Sequence, residues 1–438
     1  MPPAPRPGIV LVCAGRVSRF AYLAPGPRPH AGRPEREALG PVRQSLHPIR
    51  TAADMPSIEI KIKQLALKTG FDLAGICSAE DFLRDERAAT ERVRQGLMDG
   101  LPWYTEDRVR RMNRPALLLQ DARSVISLAI SYDTGPPPEN VDEGGNALKG
   151  RVARYAWGDD YHGVIKERLK RFADGLPDLA GRPVNTRVFV DDGPMNDRAA
   201  AERAGVGWFG KNTNILTPSH GSWVFLSQVI TDLDLVPDEP LKKTCGSCVR
   251  CIDVCPTGAI IAPYVLDNRR CISFLTIELR GAIPRELRPL VGDWVFGCDI
   301  CQDVCPVNRK AALSLEPAFR QRHDFAAPAL LPLLELTDAE FRERFRDSPI
   351  KRAKRVGLQR NVCVALGNIS DPVAVPALAR CLRGPDAVVR LHAAWALGRI
   401  GGREAAEALQ SALACEEDPP TREEISLTLA EMGVSAGA

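Results

Sequence analysis

Eight of the thirteen cysteines lie between positions 245 and 305, at spacings that suit iron–sulfur ligands. The first run is Cys245-x-x-Cys248-x-x-Cys251-x-x-x-Cys255-Pro256, and it is followed by Cys271 and by Cys298-x-x-Cys301-x-x-x-Cys305-Pro306. In proteins with two [4Fe–4S] cubes, a C-x2-C-x2-C-x3-C-P run gives three thiolates to one cube and its fourth to the other. The eight thiolates therefore predict two four-iron clusters with four ligands each.

Because the last cysteine of each run binds the other cube, these thiols divide into two sets of four. The first set is Cys245, Cys248, Cys251 and Cys305, and the second set is Cys255, Cys271, Cys298 and Cys301. Tetrahedral zinc also uses paired C-x-x-C, but it needs only four ligands. A disulfide framework is typical of small secreted chains rather than of a chain this long. We expect the other cysteines to be ordinary buried thiols, namely Cys13, Cys77, Cys363, Cys381 and Cys415.

The composition is that of an ordinary globular protein, with 45% hydrophobic and 26% charged residues. A length of 438 residues predicts two or three domains. The net charge of +3 is too small to indicate a nucleic-acid partner by itself. No apolar run approaches the ~18 residues of a membrane-spanning helix. Because many free thiols suit a reducing compartment, we expect a cytoplasmic protein with no membrane partner, and we expect it to be a monomer.

Residues 1–56 differ from the rest of the chain. They are rich in Pro, Arg, Gly and Ala and lack a periodic apolar pattern, so we expect a disordered extension. Met55 directly precedes a good amphipathic segment, which favours the interpretation that the preceding residues are an over-extended start. A transit peptide is the alternative, and the high proline content argues against it.

Helical and strand-like patterns alternate from residue 57 to residue 235, which predicts an α/β domain. Strand patterns occupy 71–76, 124–132, 184–191 and 222–231, and helical patterns occupy 58–70, 80–99, 163–175 and 197–205. A ferredoxin-type domain with both clusters is expected at 236–312. Residues 313–438 are expected to form a basic connector and helical repeats.

The repeats are visible as LQRNVCVALGNI (358–369) and VRLHAAWALGRI (389–400), which match at an offset of 31 residues. Each is followed by a second helical segment, and REEISLTLAEMG (422–433) is a weaker third copy. Such pairs predict an α-solenoid of HEAT type. The preceding stretch, 342–360, carries eight Arg or Lys against two acids. It is either a solvated helix face or a surface that binds phosphates.

Several long motifs closely resemble epoxyqueuosine reductases. They are RYAWGDDYH (154–162), VDDGPMNDRAAAERAGVGWFGKNTNIL (190–216), the double cysteine set and LTIELRGAIP (275–284), with the HEAT-like repeats following. The resemblance implies a tRNA-modifying oxidoreductase that reduces the epoxide of epoxyqueuosine to queuosine. It also implies cobalamin, two [4Fe–4S] clusters, a low-potential donor of the flavodoxin or ferredoxin type, and an architecture related to reductive dehalogenases. The expected fold is therefore α+β or α/β, with a cobalamin-binding domain, a double-cluster segment and a C-terminal HEAT-like solenoid.

The resemblance also implies particular site residues. Asp191, which ends the strand RVFV, matches the family's proton donor, whereas alternation should point the adjacent Asp192 the other way. The expected cobalamin contacts are Arg114, Arg154, Asp191, Ile215, Ser273, Cys298 and Asp299. The expected tRNA contacts are Arg280, Lys351, Arg352, Lys354 and Arg355.

Two other functions fit part of the sequence. A ferredoxin-type carrier without catalysis would not need the α/β domain or the Asp191 motif. A reductive dehalogenase acting on a small molecule would not need a basic stretch beside a solenoid. The basic stretch and the repeats therefore favour a large anionic substrate.

Overall fold

A four-stranded antiparallel sheet forms the centre of the region before the cysteine-rich segment. The computed structural model describes residues 56–136, 148–322 and 324–434. The strands in these residues are β1 (Leu73–Ser78), β2 (Ser124–Ser131), β3 (Arg151–Val152), β4 (Thr186–Phe189), β5 (Trp208–Phe209), β6 (Ile215–Leu216), β7 (Val224–Thr231), β8 (Ile260–Ala262), β9 (Val265–Leu266) and β10 (Trp294–Phe296). The sheet has the order β1-β2-β7-β4.

The helices before and within the cysteine-rich segment are α1 (Ile58–Lys68), α2 (Leu83–Arg94), α3 (Glu106–Met112), α4 (Tyr161–Asp174), α5 (Leu176–Ala180), α6 (Asp197–Arg203), α7 (Arg250–Asp253), α8 (Ile272–Ile277), α9 (Arg288–Val291) and α10 (Ile300–Asp303). Those that follow are α11 (Leu330–Leu334), α12 (Asp338–Arg344), α13 (Lys354–Ile369), α14 (Val375–Cys381), α15 (Ala387–Ile400), α16 (Arg403–Leu413) and α17 (Pro419–Glu431). The segment expected to be disordered, 1–56, lies outside the described residues except for its last residue.

Both faces of the sheet are covered by helices. All eight residues of β2 are buried. Ile126 and Leu128 belong to one core with residues of α1 and α4, whereas Val125 and Ala129 belong to another core with residues of α6. Because successive side chains of a strand point to opposite faces, the apolar residues of β2 pack into both cores, and its three serines are buried among them. The expected fold class is confirmed, with antiparallel pairing that periodicity alone does not specify.

The cysteine-rich segment is built from short elements around two similar helices. Cys251 lies in α7 and Cys301 lies in α10, and each helix stops just before a Cys-Pro pair. Apolar residues from this segment share one core with the C-terminal helices, among them Leu275, Phe296 and Leu366. The described residues from Pro56 onward accordingly form one compact unit, and the boundaries expected at 235 and 312 remain predictions.

The C-terminal helices stack as the repeat pattern predicted. Gly367 and Gly398 occupy equivalent positions in α13 and α15. A Cβ atom at Gly367 would lie 2.7 Å from the Trp395 ring, and one at Gly398 would lie 2.2 Å from the Thr428 side chain. Neighbouring helices therefore approach closely at each repeat, and only glycine leaves room for that approach. Among the residues described, none of the helices is sufficiently long and apolar to span a bilayer.

Candidate active site

A cavity of about 1240 Å³ joins the edge of the central sheet to the cysteine-rich segment and the basic stretch. Asp191 and Tyr161 line it on the side of the sheet, and Cys298 and Ser273 line it on the side of the cysteines. Arg342 and Lys354 are among the cations that line it from the basic stretch. One cavity therefore holds an acid, metal-binding thiols and cations that suit an anionic substrate.

Asp191 is held in a strained turn at the end of β4. Its φ is 51°, in the left-handed region that residues other than glycine rarely adopt. Gly193 completes the turn, because a Cβ atom at this position would lie 2.2 Å from the Phe189 ring. Such outliers persist only where the surroundings enforce them, and they are frequent at functional sites. The turn places the Asp191 side chain in the lining of the cavity.

Tyr161 fixes the orientation of this carboxyl group. Its hydroxyl donates a hydrogen bond to Asp191 Oδ2 at 2.7 Å, and its ring stacks on Phe225 at a centroid distance of 4.1 Å. Burial, together with the negative charge of Asp191, raises the pKa of Tyr161 far above its usual range, so the hydroxyl keeps its proton. Within the described residues, Asp191 Oδ1 has no hydrogen-bond partner, which leaves it available to a substrate.

We expect Tyr161→Phe to lower turnover by about 10- to 150-fold, because it removes a hydrogen bond to a charged group worth about 1.5–3 kcal/mol while preserving the ring stack. The comparison is single-turnover kinetics of the variant and the unmodified enzyme. Affinity for the tRNA substrate that the sequence resemblance implies should not change. An equal loss in binding and turnover would show that Tyr161 maintains the shape of the cavity rather than the orientation of Asp191.

Asp192 points away from the cavity. Its carboxylate forms an ion pair with Lys166 on α4 and accepts a hydrogen bond from the backbone N–H of Val190 at 3.3 Å. Partial burial opposes ionisation, but the ion pair with Lys166 outweighs it and holds the pKa of Asp192 below its usual range. The side chain therefore stays ionised and is a poor proton donor.

The eight predicted cluster ligands come together in two groups that match the two sets. In the first set, the pKa of Cys251 is raised by burial and then by the neighbouring thiolates Cys245, Cys305 and Cys248. In the second set, the pKa of Cys301 is raised well above its usual range by burial and then by Cys298 and Cys271. Among the eight predicted ligands, every such interaction joins members of one set.

The donor chemistry of these groups fits four-iron clusters. All cysteines in the described part of the chain are free thiols. No three or more Cys, His, Asp or Glu side chains in that part are arranged around a single metal ion. In a [4Fe–4S] cube each thiolate binds a different iron atom, so the thiols need not converge on one point. The same observation offers no support for the zinc alternative.

Of the other cysteines, Cys77 and Cys363 are buried as expected and Cys381 is half-buried. Cys415 is exposed, so the expectation of a buried thiol is wrong there. It follows the end of α16, where the last helical turn leaves its side chain at the surface. Cys13 lies outside the described residues.

The expected cobalamin contacts separate into two groups. Those that line the cavity are Asp191, Ser273, Cys298 and Asp299, and those outside its lining are Arg114, Arg154 and Ile215. Arg114 forms a two-pronged ion pair with Glu86. Ile215 is buried in β6.

Arg154 lies outside the cavity lining and contacts a residue that lines it. Its backbone N–H donates to Asp299 Oδ2 at 2.6 Å, and its guanidinium pairs with Asp133 at 2.7 Å and lies 4.3 Å from the Trp223 ring centroid. Burial raises the pKa of Asp299 to about 7, against the hydrogen bond from Arg154, which lowers it. Arg154 thus positions a residue of the lining rather than lining the cavity itself.

The four cations expected to bind tRNA from the basic stretch all line the cavity, namely Lys351, Arg352, Lys354 and Arg355. Three of them already have acidic partners. Lys351 Nζ lies 2.9 Å from Asp160, and Arg352 Nε lies 2.5 Å from Glu278. Lys354 is exposed and has no ion pair within the ranges that the structure describes.

Arg355 is the most completely neutralised of the four. Its guanidinium contacts Asp338 at 2.7 Å and Asp386 at 2.9 Å. The fifth expected contact, Arg280, lies outside the lining, where it donates to the backbone carbonyl of Ala353 at 3.2 Å. Lys354 is therefore the cation of this group that is best prepared to bind a phosphate.

Besides Arg346, which pairs with Glu343, the sequence motifs did not identify two other cations of the cavity, Arg198 and Arg342. Both are exposed and without an ion pair among the described residues. Arg198 lies next to the first residue of α6, and Arg342 lies on α12. Little in the sequence distinguishes these two residues. Arg342 is one of eight cations in the basic stretch, and Arg198 lies in a segment whose pattern predicts only a helix.

Comparisons with known proteins agree with this arrangement. The profile of the family described as epoxyqueuosine reductase QueG matches residues 111–192. Profiles for a 4Fe-4S double cluster binding domain and for HEAT repeats match residues 244–308 and 351–430. The epoxyqueuosine reductase of Bacillus anthracis is 35% identical over 362 residues, which are 82% of this chain and 93% of that protein.

The epoxyqueuosine reductase of Cellulophaga algicola is 42% identical over 301 residues, which are 69% of this chain and 95% of that protein. The chain belongs to the epoxyqueuosine reductase family. A crystal structure of epoxyqueuosine reductase with an epoxyqueuosine-modified tRNA-Tyr stem loop superposes with a TM-score of 0.81 at 34% identity, covering 86% of this chain and 99% of that one. The double-cluster segment of this chain provides for two [4Fe–4S] clusters.

Proposed function

We propose that this protein reduces the epoxide of epoxyqueuosine in tRNA to the alkene of queuosine. The reaction consumes two electrons and two protons, and it releases the epoxide oxygen as water. The observation that carries the proposal is that Asp191 and all four thiols of the second set line one cavity. A proton source and an electron source therefore face the same substrate. Membership of the epoxyqueuosine reductase family supports this assignment.

The cavity suits cobalamin as a resident cofactor. Its volume of about 1240 Å³ exceeds the ~300–1,000 Å³ of sites for smaller ligands. Aromatic side chains, including Tyr155 and Phe225, provide apolar walls, and Ser273 and Asp299 provide polar groups that would hold the corrin amides. When bound, cobalamin supplies a low-potential cobalt centre for electron delivery, and the protein supplies orientation and a proton.

Asp191 supplies that proton in the proposed reaction. Tyr161 holds Oδ2, so the proton to be transferred resides on Oδ1, which has no hydrogen-bond partner among the described residues. The epoxide oxygen acquires negative charge as its bonds to carbon break, and protonation by a positioned carboxylic acid lowers the cost of that charge. The ionised Asp192 is held on Lys166 and takes no part.

The cations at the rim of the cavity favour a nucleic acid over a small molecule. Lys354, Arg342 and Arg198 are exposed cations that line the cavity. A tRNA stem loop would place its backbone phosphates on such cations while the modified base enters the cavity. To test the substrate class, turnover of epoxyqueuosine in tRNA is compared with that of the free nucleoside. Equal kcat/KM for the two would contradict a tRNA substrate.

We expect the salt dependence of tRNA binding to become shallower when Lys351, Arg352, Lys354 and Arg355 are replaced by glutamine. Each phosphate contact releases counterions and contributes about 0.7–0.9 to the slope of log affinity against log salt. The measurement is tRNA affinity at several salt concentrations. An unchanged slope would mean that these residues form a solvated face.

Two single variants provide a matched control for this prediction. Lys354→Gln should account for most of the change, because Lys354 has no ion pair among the described residues. Arg355→Gln should change the slope less, because Asp338 and Asp386 already neutralise this guanidinium. A larger effect from Arg355 would mean that it leaves its acidic partners to bind tRNA.

The remaining partners follow from the same chemistry. A cluster accepts one electron at a time, so the proposed reaction needs a low-potential one-electron donor that acts twice per turnover. We further propose that the enzyme acts as a monomer in the cytoplasm, where its tRNA substrate and a reducing environment are both found.

A further inference from the structure

The two thiol sets differ in their relation to the cavity. All four thiols of the second set line it, and none of the first set does. If electrons leave the protein through the second set, they must enter through the first. The surface around the first set is therefore the place where a donor would transfer its electron.

This surface carries an excess of positive charge. The segments 242–255 and 305–310 contain five Lys or Arg and a single acid, Asp253. Lys242, Arg250, Arg309 and Lys310 are all exposed. None of the four has an ion pair in the part of the chain that the structure describes. Arg250 adjoins Cys251 in sequence, so the charge lies beside the ligands of the first set.

Exposed apolar side chains lie near the first set. Val249 is 39% exposed and Tyr264 is 37% exposed. Lys211 ties the Tyr264 turn to the first set, because its carbonyl accepts from the Tyr264 N–H at 3.0 Å and its Nζ donates to the Gly246 carbonyl at 2.8 Å.

We propose that this entry surface, formed by Lys242, Val249, Arg250, Tyr264, Arg309 and Lys310, docks a small acidic electron-carrier protein. The inference rests on the proposed function, whose reaction needs two electrons. Opposite charges steer the two proteins together, and exposed apolar side chains make a small contact area that dissociates readily. In each encounter one electron passes from the reduced carrier to the cluster of the first set. The oxidised carrier then leaves, and two encounters supply one turnover.

The test uses the enzyme with both clusters in place and a reduced, acidic plant-type [2Fe–2S] ferredoxin as the probe. The variant combines Lys242→Glu, Arg309→Glu and Lys310→Glu. The matched control combines Lys68→Glu, Lys170→Glu and Arg171→Glu, three exposed cations on α1 and α4. At low ionic strength the second-order rate of ferredoxin oxidation should fall at least ~10-fold in the variant and stay near the unmodified value in the control.

Two further measurements make the result specific. Photoreduction of the clusters through a neutral deazaflavin should proceed equally in all three proteins, because it needs no docked partner. Raising the salt concentration should bring the unmodified enzyme's rate down towards that of the variant. A variant with an unchanged ferredoxin rate, or a control that loses as much as the variant, would overturn the proposal.

A nucleic-acid role for the same surface is an alternative outcome. If the variant binds tRNA more weakly while its ferredoxin rate is unchanged, the entry surface belongs to the substrate, and the docking proposal is wrong. Because ferredoxin oxidation is measured without tRNA, failure of the proposed function can be distinguished from failure of the docking proposal. It would appear as an unmodified enzyme that oxidises ferredoxin but leaves epoxyqueuosine unchanged.

Discussion

Asp191→Asn should lower the rate of queuosine formation by about 10²–10⁴-fold, the usual contribution of a positioned general acid. Asparagine preserves the size of the side chain and can still accept the hydrogen bond that Tyr161 donates at 2.7 Å. It lacks an acidic proton for the departing epoxide oxygen. The rate is measured in single turnover with the reduced enzyme, and cobalamin and tRNA binding should remain as in the unmodified protein.

Asp192→Asn is the matched control, one residue further along the same turn. It should lose much less activity, because the Asp192 carboxylate is bound to Lys166 outside the cavity. The reverse result, with Asp192 essential and Asp191 dispensable, would contradict the assignment of the acid. Loss of cobalamin binding in Asp191→Asn would make Asp191 a cofactor contact. The proton donor would then be sought at His162, which also lines the cavity.

Cys301→Ser should abolish queuosine formation and reduce the iron content from about eight to about four atoms per chain. Cys301 belongs to the second set, which lines the cavity, so in the proposed path its cluster passes electrons to the cofactor that would bind there. No donor can bypass it in the proposed path. Iron analysis and electron paramagnetic resonance after anaerobic reconstitution would show one cluster lost and the other retained.

Each cysteine run supplies ligands to both clusters, so two variants within one run serve as controls for each other. Cys305 follows Cys301 by four residues, yet it interacts with Cys245 and Cys248 of the first set. Cys305→Ser should therefore remove the same cluster as Cys251→Ser, and Cys301→Ser should remove the other. If the spectra of Cys305→Ser and Cys301→Ser matched each other instead, the assignment of thiols to sets would be wrong.

The sequence was most informative where chemistry requires exact spacing. The cysteine runs predicted both sets, and the structure places their thiols in the corresponding two groups. The strand and helix patterns predicted most elements of the sheet region, because apolar residues of β2 pack into the cores on both faces of the sheet. The antiparallel direction of the strands could not be predicted, because a strand's periodicity is the same in either direction.

The sequence could not predict which residues become ion-pair or hydrogen-bond partners when they are distant in the chain. Arg355 and Lys354 are adjacent in the chain and look equivalent, but Asp386, 31 residues further on, neutralises only the first. Arg154 was expected to contact the cofactor directly. Instead, it lies outside the cavity lining, and its backbone N–H donates a hydrogen bond to Asp299. Local motifs indicate that a residue matters, whereas its role depends on neighbours that are distant in sequence.

The most direct test of the central claim is an anaerobic assay of the reconstituted protein with cobalamin, a low-potential reductant and tRNA that contains epoxyqueuosine. Nucleosides released from the tRNA are quantified by mass spectrometry. We expect epoxyqueuosine to disappear and an equal amount of queuosine to form, and the reaction to stop when cobalamin is omitted. If protein with about eight iron atoms per chain left epoxyqueuosine unchanged under these conditions, the proposed function would be wrong.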